Sequence, residues 1–102
     1  MAIITIKKFS RNGCRPCQAL ANFIGDIDLF NAGATLENIN ISDDKIKIGE
    51  EELTSEQVVE KFKLQSVPTL VFERSGVEVH RIVGLRPTEE IIDAIEHAKV
   101  AK

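Results

Sequence analysis

Apolar residues change rhythm several times along the chain. Residues 2–9 are rich in β-branched and aromatic side chains, and Ile4, Ile6 and Phe9 lead into Arg11-Asn12-Gly13, a turn composition, so a strand and then a loop are expected. From Cys14 onward, Cys17, Leu20, Ala21 and Ile24 recur at spacings of three and four, with Ile27 extending the stripe. That spacing predicts an amphipathic helix beginning near Arg15 or Pro16 and running to the C-cap composition at Asn31–Gly33. Pro16 suits a first helical turn, where its missing N–H costs nothing. Leu36, Ile39 and Ile41, set among polar residues over 34–41, predict a second strand that ends at the Ser42-Asp43-Asp44 turn.

Residues 43–53 crowd Asp43, Asp44, Glu50, Glu51 and Glu52 around Ile46 and Ile48, which predicts a solvated loop or, alternatively, an acidic docking surface. Thr54 with Gln57 three positions on is a capping-box pattern, and Val58, Val59 and Phe62 supply the buried face of a short helix ending by Leu64 or Gln65. Val67–Glu73 reads as a buried strand with proline tolerated near its start, and Arg74-Ser75-Gly76 turns it into a hairpin. The returning strand, Val77–Val83, is expected to place Val77, Val79 and Val83 on one face and Ile82 on the other. After the break at Gly84–Pro87, Thr88 is expected to cap a last helix with Glu89 and Glu90 in its first turn and Ile91, Ile92, Ile95 and Ala98 inward. The order β α β, then α, then β β α, predicts an α/β fold: a mixed four-stranded sheet flanked by helices on both faces.

Composition narrows the function. At 102 residues the chain fits one domain, 1–102, and its 43% apolar and 28% charged content is that of a folded globule. Thirteen basic against sixteen acidic residues lack the excess that phosphate backbones attract, and five Phe without Trp or Tyr offer few stacking platforms, so nucleic acid is not an expected partner. The short apolar stretch before Lys7-Lys8 is unlike a signal peptide and no window approaches a membrane span, which predicts a cytoplasmic protein without membrane contact.

In a reducing compartment two nearby cysteines are more often catalytic or metal-binding than structural. Cys14-Arg15-Pro16-Cys17 follows a predicted strand and opens a predicted helix. Free N–H groups and the positive end of the dipole favour an anion there, so Cys14 is expected to be the thiolate nucleophile, with Arg15 adding positive charge. Cys17, one turn inside and expected to be the more shielded of the two, is placed to resolve the mixed disulfide. Zinc is the competing reading of a paired-cysteine motif, but it needs four ligands and the only histidines, His80 and His97, are remote in the sequence.

Strand, Cys-x-Pro-Cys and helix, with Ser66-Val67-Pro68-Thr69 ahead of a hairpin and final helix, resemble the thioredoxin superfamily over nearly the whole chain. The resemblance implies a cis Pro68 against the cysteines, with the Val67 backbone turned outward to pair with an extended substrate. It also matches Gly84 to the family's glycine near the site, and it assigns substrate binding to Arg15, Pro16, Val67, Pro68, Thr69 and Gly84. It implies reduction of disulfide-containing client proteins by a monomer with no cofactor beyond the Cys14/Cys17 pair, with electrons from a thioredoxin-reductase-like flavoenzyme.

The departures are specific. Gly13 and Arg15 stand where thioredoxins usually have Trp and Gly, and the family's buried acid falls at Lys8, which either points to solvent or further favours the thiolate. Only 13 residues precede Cys14, as in minimal redoxins, so the short form of the fold is expected. The Gly-Gly-acid signature of glutaredoxins is replaced by Gly84-Leu85-Arg86, which disfavours glutathione. Gly84-Leu85-Arg86-Pro87 is also similar to a segment of glutaredoxin-like redoxins that serve ribonucleotide reductase, an alternative client; a non-catalytic binding module is the alternative outside redox chemistry. Arg11, Arg15 and Arg86 are candidates for a positive rim that would attract acidic client segments.

Overall fold

The computed structural model describes residues 3–101, so Ala2, the expected start of the first strand, lies outside the described residues. β1 (Ile4–Ser10) is the organising strand: it pairs in parallel with β2 (Ala34–Asn40) and antiparallel with β5 (Thr69–Arg74), and β5 forms a hairpin with β6 (Val77–Val83). The sheet order β2-β1-β5-β6 is the expected mixed four-stranded sheet. A parallel neighbour requires a crossover, and α1 (Arg15–Gly25) with the short α2 (Leu29–Ala32) supplies it.

Two helices therefore stand where the apolar stripe predicts one. Gly25 is a poor interior helix residue, and Asp28 offers a competing start: its carboxylate accepts the Asn31 N–H at 3.3 Å as an N-cap. Gly33, at φ +78°, closes α2 in the left-handed conformation, so the expected C-cap is found on the second helix. Ala21, counted in the stripe, is exposed.

The acidic 43–53 segment also departs from expectation. It holds an antiparallel ribbon, β3 (Ile46–Ile48) and β4 (Glu51–Leu53), with Gly49 in the turn at φ +62°. Ile46 and Ile48 are buried while Lys47, Glu50, Glu51 and Glu52 face out, a period-two pattern hidden by the density of charge. α3 (Ser55–Phe62) starts with the complete capping box, Thr54 Oγ1 accepting from Gln57 N–H at 3.2 Å and Gln57 Oε1 from Thr54 N–H at 2.9 Å.

The sheet separates two apolar layers. On one face Ile4, Ile6, Leu70 and Phe72 pack with α1 and with α4 (Thr88–Val100). On the other, Phe9, Ile39 and Val71 pack beneath Val58 of α3 and Ile46 and Ile48 of the ribbon. Those of these side chains that are wholly removed from water, such as Ile6, Phe72 and Phe9, each contribute about 1.5–3 kcal/mol.

β6 corrects the facing expected of it. The β5–β6 register shifts between Phe72 and Glu73, so Val79 bulges and both Val79 and Ile82 pack on the α1/α4 layer, while Val77 and Val83 on this edge strand are exposed. Thr88 does not cap α4: Pro87 holds the N-cap position, and the Thr88 hydroxyl instead donates to the Phe23 carbonyl of α1 at 3.1 Å. Ile92 is 39% exposed, and Ala94 takes the inward place. Glu89 and Glu90 do occupy the first turn.

Candidate active site

The strand pairings bring the chemistry to one end of the sheet. β1 leaves it at Ser10 toward Cys14, β5 enters at Thr69, opposite Phe9, and β6 exits at Val83, opposite Thr69. The cysteine loop, the Val67-Pro68 segment and Gly84 therefore meet there, although they are far apart in sequence.

Cys14 is the N-cap of α1, with extended backbone angles, and its sulfur accepts the Cys17 N–H at 3.2 Å. An N-cap acceptor is ordinarily a Ser, Thr, Asp or Asn oxygen. Sulfur in that place faces the unpaired N–H groups and the positive end of the helix, an environment that favours it as an anion. Pro16 lies in the first turn without a donor to waste, and it is exposed, as is Arg15. Cys14 and Cys17 are joined in a disulfide with their Cα atoms 5.2 Å apart. Their exposures, 8% and 5%, hardly differ, so the contrast between them lies in the capping position of Cys14 more than in shielding.

The loop before Cys14 is fixed to β2 by a small polar network that sequence reasoning missed. Asn40 Nδ2 donates to Asn12 Oδ1 at 2.8 Å, the Asn12 N–H donates to Ser42 Oγ at 3.0 Å, and the Ser42 N–H donates to Asn40 Oδ1 at 2.9 Å. Polar residues in predicted turns carry no signal that they will bond one another across 28 or 30 positions.

The Val67-Pro68 peptide is cis, and the strand begins at Thr69, later than the expected start at Val67. Thr69 is buried, and its hydroxyl donates to the Ser66 carbonyl at 2.7 Å; its side chain braces the loop from inside. Among the described residues, no backbone partner engages the N–H or C=O of Val67. Gly84 donates its N–H to the Pro68 carbonyl at 2.8 Å. A methyl group at Gly84 would find only Arg86 nearby, at 3.5 Å, so it is the φ of +93° that calls for glycine.

Beside Val67 runs a groove of about 160 Å³ lined by Arg11, Ile41, Val59, Leu64, Ser66 and Val67. Of the three expected rim arginines, Arg11 borders this groove, Arg15 is exposed on α1, and Arg86 is engaged by Glu90 at 3.4 Å. Lys8 does not point freely to solvent. It is 8% exposed, and burial pushes its ammonium below the ordinary lysine pKa.

With this geometry in view, the family model described as a thioredoxin-like domain matches residues 5–99. The chain belongs to the thioredoxin-like family. It is 31% identical to a thioredoxin of Chlamydia pneumoniae over 96 residues, covering 93% of this chain and 83% of the relative. A thioredoxin of Staphylococcus saprophyticus is 28% identical over 93 residues, 91% of this chain and 80% of that one. Among solved structures, a thioredoxin-fold protein from Helicobacter pylori superposes with a TM-score of 0.77 at 21% identity, over 93% of this chain and 68% of the other, a likeness of fold alone. The family and the bonded Cys14/Cys17 pair make this thioredoxin-like protein a thiol-disulfide oxidoreductase. No helix among the described residues is long and apolar enough to cross a membrane.

Proposed function

We propose that the chain reduces disulfides of client proteins, with Cys14 attacking and Cys17 resolving. The observation that carries this reading is the Cys14 sulfur at the N-cap of α1, within bonding reach of Cys17 and at the same sheet end as the cis Val67-Pro68 peptide. In the first step the Cys14 thiolate attacks one sulfur of the client disulfide; a Cys14–client bond forms and the other client sulfur leaves as a thiolate that takes up a proton. Cys17, losing its proton, then attacks Cys14. The Cys14–Cys17 bond forms, the remaining client sulfur departs reduced, and two electrons have passed from the pair to the client.

The unpaired N–H and C=O of Val67 supply a short ladder edge on which an extended client segment can align its disulfide beside Cys14, with Pro68, Thr69 and Gly84 holding that edge and Arg15 and Pro16 forming its exposed border. The couple turns over as a monomer in a reducing cytosol, without a further cofactor, re-reduced by a thioredoxin-reductase-like flavoenzyme.

The assay follows reduction of a disulfide-bonded protein with electrons from either thioredoxin reductase or glutathione with its own reductase. Turnover is expected with thioredoxin reductase and is lost in Cys14→Ser. Full activity of Cys14→Ser would contradict the reading, and turnover with glutathione alone would reassign the donor.

A further inference from the structure

One buried titratable group takes no part in the steps above. Lys8 and Thr69 are the buried polar or charged residues among those described, and Thr69 has its hydrogen bond to Ser66. The fall in the Lys8 pKa comes from burial, and among the described residues Lys8 makes no ion pair. No buried side-chain nitrogen among the described residues lacks a partner, so the Lys8 stem lies in the apolar layer and its charge at the edge of that layer, where a nearby anion is favoured.

Ile4, Ile6 and Lys8 lie on one face of β1 because side chains two apart share a face, about 6.6 Å further along each time. α1 follows β1 through a tight loop and runs back over that face, its inward residues one turn, or about 5.4 Å, apart. Ile24 and Leu20 share the core with Ile4 and Ile6. The next inward position toward the start of α1 is Cys17, and the next on β1 is Lys8; both are buried, at 5% and 8% exposure. The neighbours that the strand register and the packing layer give Lys8 are uncharged. Its cross-strand partners are Leu70 on β5 and Asn38 on β2, and the inward residues of α1 and α4 are Leu20, Ile24, Ile91, Ala94, Ile95 and Ala98.

We propose that Lys8 is a positioning residue of the redox pair, whose ammonium beneath Cys17 stabilises the Cys17 thiolate as that sulfur attacks the mixed disulfide. This rests on the division of roles given under Proposed function. The step itself is unchanged: the Cys17 proton goes to solvent, the sulfur electron pair forms the bond to Cys14, and the client sulfur leaves with its own pair and takes a proton from water. Lys8 is neither oxidised nor reduced. Its charge lowers the cost of the anion that must form in a buried place, and the anion in turn supplies the counter-charge that the strand neighbours do not.

The test isolates one thiol. In full-length Cys14→Ser protein, Cys17 is the sole cysteine, and its thiolate ultraviolet absorbance is followed against pH with Lys8 intact and with Lys8→Met, Lys8→Gln and Lys8→Arg, the folded state being checked by circular dichroism. Lys8→Met and Lys8→Gln are expected to lower the Cys17 thiolate fraction about tenfold at a pH below its titration, a shift of about one pKa unit, whereas Lys8→Arg, which keeps the charge, stays within about twofold of the parent. Unmoved titration in the two uncharged variants would overturn the proposal, as would Lys8→Arg moving as far as Lys8→Met. A wild type that reduces no disulfide would instead remove the underlying reading, and the two failures are thereby distinguished.

Discussion

Lys7 and Lys8 are consecutive in β1, so the alternation of the strand sends their side chains to opposite faces of the sheet. Lys7 meets Glu73 at 2.6 Å and Glu37 at 3.4 Å, carboxylates from the strands on either side. Lys8 lies on the same face of β1 as Ile4 and Ile6, which belong to the apolar layer under α1 and α4, and it is 8% exposed. One lysine has its counter-ions built in, and the other is largely covered with no ion pair among the described residues. The difference teaches how to divide these faces: a cation with two acids is part of the scaffold, and a largely covered cation without one is a candidate for the chemistry.

The comparison can be broken first at its apolar base. If the two layers support the sheet equally, Phe72→Ala on the α1/α4 side and Phe9→Ala on the α3 side each lose about 3–5 kcal/mol in denaturant unfolding. A much smaller loss on one side would show that its cover is only loosely packed. The lysines come next. Lys7→Met leaves Glu37 and Glu73 without their cation and is expected to cost about 1.5–3 kcal/mol, the range for hydrogen bonds to charged groups. Lys8→Met, which replaces a desolvated ammonium by an apolar side chain of similar length, is expected to be neutral or stabilising in the same unfolding experiment. Equal losses at both positions would erase the contrast.

Smaller effects sharpen how each face is covered. Thr54→Ala removes the capping box of α3 and should cost about 1 kcal/mol. On the opposite face His80 packs between Phe72 and His97, tilted to the first and edge-on to the second, with ring centroids 5.6 and 4.9 Å away. Burial first, and then the neighbouring His97, hold the His80 pKa below its ordinary value of 6.5. The unfolded chain therefore binds this proton more readily. The contribution of neutral His80 is fully present above 6.5 and declines as pH falls through that value toward the lower folded pKa. His97→Gln should flatten this slope, measured as unfolding midpoint against pH.

Much of this arrangement was legible in the residues. The Cys14–Cys17 spacing behind a strand, the Thr54/Gln57 pair and Val67-Pro68-Thr69 before a hairpin are local signals, and local hydrogen bonding or peptide geometry fulfils them. What escaped was decided by competition or by long-range pairing. The apolar stripe of α1 continues past Gly25, but Asp28 captures a new helix start. Ile46 and Ile48 alternate correctly for a strand, yet five acids in the same segment suggest a loop. Val79 and Ile82 read as opposite faces until a bulge set by the partner strand brings them together. For Lys8 the charge argued for solvent and the strand period argued for the core, and the period prevailed because α1 covers that face.

The division of labour between the two cysteines is the centre of the account, and trapping addresses it directly. Reduced Cys17→Ser protein is mixed with a disulfide-bonded client, and the products are weighed intact by mass spectrometry. A stable one-to-one mixed disulfide through Cys14 is expected, absent when Cys14→Ser is used under the same conditions. A covalent complex that accumulates with Cys14→Ser, and not with Cys17→Ser, would contradict it.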